Sequence, residues 1–181
     1  LWGELNSIWN NVYDNMRDVN NIIIQSEANG ENNYKGVALV MKSWMFSLAT
    51  DAYGDVPYSQ ATNAKEGENY PKYDTQEEIY TGILADLKTA SDLLGSSSES
   101  VAGDIIYGGD VAQWKKLANS LRIRALMRIS RKRDVSADLK AIVDNPAAYP
   151  VFESTDDNAV YTFKSTSPDQ FPLHTSRIGS F

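Results

Sequence analysis

Carboxylates, one histidine and a set of loop rings are the side chains of this chain that could do chemistry. Asp51 and Asp55 bracket the end of a helical stretch, and a pair of neighbouring carboxylates is the machinery of glycoside hydrolysis. A structural role is the simpler reading. Asp55 stands between Gly54 and Val56-Pro57, where an Asx-type turn is expected, and Asp51 is placed to pair with an arginine of a later helix. Asp104 and Asp110, in Gly103-Asp-Ile-Ile-Tyr-Gly-Gly-Asp110, lack the alternating oxygen ligands and closing glutamate of a calcium loop. Asp110 reads instead as a helix cap. The acidic turn Asp156-Asp157-Asn158 is a further calcium candidate. His174 is the only histidine, which rules out multi-histidine metal clusters in this segment and leaves little for triad catalysis. Without cysteine there is no thiolate nucleophile, and no glycine-rich phosphate cradle, His-Glu-x-x-His or Gly-x-Ser-x-Gly occurs. No catalytic residue, cofactor or metal site is expected.

Aromatic side chains matter more, because ring faces stack on flat apolar surfaces such as those of sugars while hydroxyls bond to nearby polar groups. The chain has ten tyrosines and four tryptophans. Trp9, Trp44 and Trp114 fall on helical stripes and are expected in the core. Tyr70, Tyr73 and Tyr107 fall in loops and are free to face a ligand.

The elements that must position these residues are helices. Ile8, Trp9, Val12, Tyr13, Met16, Val19, Asn20 and Ile23 continue a helical period that begins at Leu5, with Asn6, Asn10, Asn11, Asp14, Asn15 and Asp18 on the opposite side. Asparagine is a mediocre helix former, so docking of the apolar stripe must stabilise this helix. A second helix is expected from about Tyr34 to Ala52, with Gly54 as its left-handed stop. Residues 59–73 lack a helical period and read as a loop. Thr75 with Glu78 forms a capping box that opens a third helix, closed at Gly95. Asp110 with Gln113 repeats the arrangement and starts a fourth helix at Val111, apolar on most of its circumference yet carrying Arg122, Arg124 and Arg128. Such a helix is expected between other helices, its cations met by carboxylates, with Asp51 or Asp55 as the leading partners of Arg124 and Asp86 or Glu78 behind them. A short helix follows from Ser136 to Asp144, and Val151-Phe152 and Ala159 to Phe163 read as extended.

At 181 residues the chain can bury a normal single-domain core. Seventeen Lys plus Arg against 24 Asp plus Glu give a formal charge of −7 without a basic stripe, which argues against nucleic acid as a partner. No apolar run approaches the roughly 18 residues of a membrane span, the best being Val37 to Met41.

The run Trp114-x-Lys116-x-Ala118-Asn119-Ser120-Leu121-Arg122-Ile123-Arg124-Ala125-x-Met127-Arg128 resembles the signature helix of SusD/RagB-type proteins, glycan-capturing outer-membrane lipoproteins of Bacteroidetes, in their SusD-like starch-binding-associated branch. Two further matches occur in the same order. Trp9-x-x-Val12-Tyr13 with Asn20-Asn21-Ile22-Ile23 is similar to the family's early helix, and Asp51-Ala52-Tyr53-Gly54-Asp55-Val56-Pro57-Tyr58 to its aromatic, Gly-Asp-Val-Pro junction. The resemblance covers roughly residues 5 to 150 and implies an all-α fold of stacked helix pairs, a TPR-like array, ending in a short irregular or extended segment. By the same resemblance, residues 1–150 are the helical TPR-like scaffold and 151–181 the truncated start of the variable, loop-rich part. Asp51, Gly54, Asp55, Pro57, Trp114 and Arg124 are then structural, and Tyr70, Tyr73 and Tyr107 are the candidate ligand-binding residues.

The implied function is non-catalytic: capture of oligosaccharide at the cell outer membrane, on its exposed surface, and delivery to a SusC-like TonB-dependent transporter. The implied lipid anchor is N-terminal and not part of this segment. The alternative is a helix-pair protein-interaction scaffold that binds no glycan itself.

Overall fold

Helix borders in this chain are set by caps and stops. In the computed structural model, which describes residues 6–166 and 169–171, five α-helices form: α1 (Asn6–Asn29), α2 (Asn32–Tyr53), α3 (Gln76–Leu93), α4 (Val111–Ile129) and α5 (Ser136–Val143). The α3 box is complete: the Thr75 hydroxyl accepts from the Glu78 amide, and Glu78 accepts from the Thr75 amide at 2.8 Å. At α4 only half of the expected box is present. Asp110 accepts from the amides of Ala112 and Gln113, but the Gln113 side-chain oxygen makes no hydrogen bond. Gly54 ends α2 at φ +77°, a backbone conformation that side chains with a Cβ rarely adopt.

The first helix runs six residues beyond Ile23, where its apolar stripe ends. Gln25, Glu27 and Ala28 are good helix formers, and the Ser26 hydroxyl returns to the Ile22 carbonyl, so the helix persists without a stripe until Gly30. Leu5 and His174 lie outside the described residues.

The helices pack in order, α1 on α2, α2 on α3, α3 on α4, with α2 also reaching α4. This is an all-α fold of stacked helix pairs. Its core gathers Met16 from α1, Val40 and Phe46 from α2, Ile79, Ile83 and Leu87 from α3 and Trp114 from α4. Each such side chain contributes about 1.5–3 kcal/mol on burial. α5 closes a smaller cluster of Leu126, Val135 and Ile142. The close approach of α2 to α3 is made at Gly36, where an added Cβ would lie 2.7 Å from Leu94. Asn33, 1% exposed, accepts from the Gly95 amide and donates to the Ser97 and Glu99 carbonyls, fastening the start of α2 to the α3–α4 connection.

Several expectations are corrected. Trp44, expected in the core, is 42% exposed on α2, where it borders an apolar groove with Ile22 and Met41. A helical stripe assigns a residue to a face, and this part of the α1–α2 face has nothing packed over it among the described residues. The carboxylate expected for Arg124 goes elsewhere. Asp51 is one helical turn better placed for Arg128, whose Nη2 lies 3.0 Å from Asp51 Oδ2, while Tyr80 donates to Oδ1 at 2.6 Å. Arg124 has no carboxylate within ion-pair distance among the described residues, and Arg122 is buried with its guanidinium over the Tyr149 ring. The segments 151–152 and 159–163, expected as extended, lie in irregular chain on either side of a single 3-10 turn at Thr155–Asp157, in keeping with an irregular or extended end, and the only β pairing among the described residues is the bridge between Val56 and Asp74.

Candidate functional site

The connection from α2 to α3 carries two of the candidate tyrosines, and its base is tightly fastened. Leaving Gly54, the chain turns through Asp55, whose carboxylate accepts from the Gln76 amide at 2.9 Å and so caps α3 from across the loop. Pro57 is buried, and its carbonyl accepts from the Tyr13 hydroxyl of α1 at 2.7 Å. Burial, with the nearby Tyr73 and Asp74, pushes the Tyr13 phenol well above its ordinary value.

Asp74 holds the two ends of the loop together. Its carboxylate, 2% exposed, accepts from the amides of Tyr58 and Ser59, from the Ser59 hydroxyl and from Lys72. Burial alone would raise this carboxyl; the bonds from Lys72, Ser59 and Tyr58 outweigh it and hold the pKa at about 2. Nothing in the periodicity marks Asp74, although its place directly before the Thr75 cap is a turn signal.

The fastened loop sets Tyr73 against α1. Its ring lies near-parallel to Trp9, centroids 6.3 Å apart and planes at 28°. Tyr53, at the end of α2, meets the same indole edge-on at 5.5 Å, and Tyr13 adjoins it at 4.7 Å. Tyr73 is 63% exposed. An aromatic cluster from α1, the α2 end and the loop therefore reaches the surface. Trp9, expected only as a core residue, is its centre.

Tyr70 is 93% exposed on the same loop and belongs to no ring cluster. Tyr107 is elsewhere. Its ring packs edge-on against Trp114, and its hydroxyl donates to the Asp157 carbonyl at 2.8 Å. Burial, then the Asp157 and Asp104 charges, push its phenol up to about 12. The structure thus brings together Tyr73 with Trp9 and Tyr53, and leaves Tyr70 and Tyr107 apart.

The acidic residues are occupied within the fold. Asp104 accepts from the amides of Ile106, Tyr107 and Gly109 and from the Trp114 indole at 2.7 Å. Asp157 accepts from the amides of Glu153 and Ser154 and from Lys116. Asp51 and Asp55 are engaged as described above. Among the described residues no group of three or more His, Asp or Glu side chains is placed to hold a metal ion.

Beside the aromatic cluster, further along α1, lies a cleft of about 660 Å³, of mixed polar and apolar lining, between that helix and the loop at residues 62–64. Asn20, Asn21 and Asn63 line it with Tyr13 and Arg17. The sequence places Asn20 on the stripe of the first helix and Asn63 in a loop without helical period, and gives Asn21 no part in the stripe, so nothing in it brings the three amides together.

Comparison with known proteins gives a consistent picture. A SusD-like family model, described as starch-binding and associating with the outer membrane, matches residues 3–181. Similar solved structures include a SusD homologue of Bacteroides fragilis, with 31% identity and a TM-score of 0.78 over 88% of this chain and 35% of that one. A chitin-binding protein has 39% identity and a TM-score of 0.71 over 87% of this chain and 34% of that one. A SusD/RagB family protein of Bacteroides thetaiotaomicron has 31% identity and a TM-score of 0.76 over 94% and 36%. The chain spans about a third of the length of these structures. No curated relative matches by sequence.

Proposed function

The chain belongs to the SusD-like family of starch-binding proteins that associate with the outer membrane, and from that membership we propose that the protein captures an oligosaccharide at the bacterial surface and does not cleave it. The observation that carries this reading is the surface cluster of Tyr73, Trp9 and Tyr53. A ring held rigidly from behind and open in front is suited to stacking on a sugar face at little entropic cost. The chitin-binding protein among the similar structures supports a saccharide as the ligand class. The engagement of Asp51 and Asp55 with Arg128, Tyr80 and the α3 N-terminus supports a binding role, since neither is left as a free acid or base.

The finer roles follow the family. The captured oligosaccharide passes to a SusC-like TonB-dependent transporter, and an N-terminal lipid holds the protein on the outer face of the membrane. No helix among the described residues is long and apolar enough to cross a membrane.

Affinity electrophoresis and calorimetry of the whole protein against starch, chitin, xylan and mannan fragments, beside an assay for new reducing ends, test the reading. Binding of at least one series without reducing-end release is expected. Release abolished by Asp51→Asn or Asp55→Asn would replace capture with hydrolysis.

A further inference from the structure

The cleft next to the aromatic cluster is lined by amides whose hydrogen-bonding groups are not all used within the fold. Asn21 and Asn63 are half-buried, and neither side-chain amide makes a hydrogen bond within the described protein. Other amides of the fold are at least partly used: Asn33 makes three bonds, and Asn119 donates to the carbonyls of Lys115 and Pro150 although its own side-chain oxygen has no partner. Amides that face an open cleft without a protein partner are free to exchange water for the hydroxyls of a bound polar ligand.

The wall opposite α1 is held in an uncommon shape. Thr62 has φ +70°, the only non-glycine residue at positive φ among the described residues, and it is β-branched, which makes the conformation unfavourable. Asn20 on α1 donates to the Thr62 hydroxyl and fixes it there. Backbone held against its preference is concentrated at ligand sites. Here it places Asn63 across the cleft from Asn21.

Tyr13 lines the cleft and also touches Trp9, which lies against Tyr73. The aromatic surface and the cleft therefore adjoin along one helix. From Trp9 to Asn21, at the helical rise, the strip is about 18 Å long, so a single sugar ring covers only part of it. Asp14 and Arg17 contribute one carboxylate and one guanidinium to the cleft, and Asp18 neutralises Arg17 further, so the lining does not select an anion. Amides both donate and accept, which matches the hydroxyls of a neutral sugar.

We propose that the cleft of Asn20, Asn21, Thr62 and Asn63 is a second saccharide subsite, continuous with the Tyr73–Trp9 surface, so that a neutral oligosaccharide lies extended along α1. This rests on the capture reading above, and it adds the direction and the length of the ligand. The aromatic end stacks one unit. The amide end bonds the hydroxyls of units further along the chain.

Calorimetry of the whole protein with malto-, chito-, xylo- and manno-oligosaccharides graded from disaccharide to heptasaccharide tests it. Affinity should rise with chain length, and Asn21→Ala or Asn63→Ala should weaken the longest ligands roughly tenfold while leaving disaccharide binding unchanged. Tyr73→Ala should weaken every length. The near-isosteric Asn21→Asp and Asn63→Asp, which keep shape but remove amide donors, repeat the test should an alanine variant lose its thermal transition. Binding that is equal in wild type and all four cleft variants at every length overturns the second subsite and leaves capture standing. No binding in any series overturns capture, and the subsite with it.

Discussion

Trp9 and Tyr73, one on the first helix and the other at the end of a loop, lie with their ring centroids 6.3 Å apart and their planes 28° from parallel. Trp9 is half-buried against Tyr13 and Tyr53, whereas Tyr73 is mostly exposed. The pair is therefore asymmetric: the indole is support and the phenol is surface.

That asymmetry separates binding from stability. Tyr73→Ala is expected to lower oligosaccharide affinity roughly three- to tenfold while changing stability by less than about 0.5 kcal/mol. Tyr107→Ala should do the reverse, costing about 2 kcal/mol through its lost packing on Trp114 and lost bond to the Asp157 carbonyl, with affinity unchanged. Urea unfolding and calorimetry on both variants check the contrast, and equal effects on affinity would mean that Tyr107 also faces ligand.

Arg128 and Arg124 differ in what they lose on substitution. A double-mutant cycle of Arg128→Met with Asp51→Asn should show coupling of about 0.5–1 kcal/mol, modest because Arg128 is about half exposed. The cycle of Arg124→Met with Asp51→Asn should be additive within about 0.5 kcal/mol. Coupling larger for Arg124 would contradict the geometry.

Asp74 makes stability dependent on acid. Its carboxyl is held at about 2 in the fold against 3.8 for the ordinary side chain. A depressed folded pKa contributes stability that is present above the unfolded value and disappears as pH falls through the folded one. The loss between about pH 4 and pH 2 should be about 2 kcal/mol from this group. Denaturant midpoints across that window, compared with Asp74→Asn, report it; a variant with the same acid sensitivity as wild type would assign the effect to other carboxylates.

Gly82 sits within α3, where Gly→Ala ordinarily stabilises by about 1 kcal/mol. Here an added Cβ would collide with the Tyr58 ring, which is packed against Phe46 and bonded to Asp86 and cannot easily withdraw. Overpacking of that kind costs about 1–3 kcal/mol, so Gly82→Ala is expected to lower the melting temperature. A rise would show that the ring moves freely.

The helices were legible because their information is local. The Thr75–Glu78 box, the Asp110 cap and the Gly54 stop each lie within a few residues of the border they set, and the apolar stripes name the buried faces. Partnerships across the fold were not. Periodicity put Trp44 and Trp9 on packed faces but could not say that the first borders an open groove or that the second supports a surface ring. Arg124 and Arg128 are a turn apart on one helix, and only the tilt of α2 against α4 decides which of them meets Asp51. Asp74, Asn21 and Asn63 carry no periodic signal at all; their roles depend on which loop atoms come to them.

The bridge between Val56 and Asp74 and the bonds to Ser59 close the α2–α3 connection at its base. A loop pinned at its root can be lengthened cheaply, by about 0.6 kcal/mol for each doubling of its length, and changes at its tip are not transmitted to the helices. The stretch that carries Asn63, Tyr70 and Tyr73 is in that sense an exchangeable cassette. Sequence libraries confined to residues 63–71 can alter what the surface recognises while the buried Ala61, the Asn20–Thr62 bond and the Lys72–Asp74 pair stay in place.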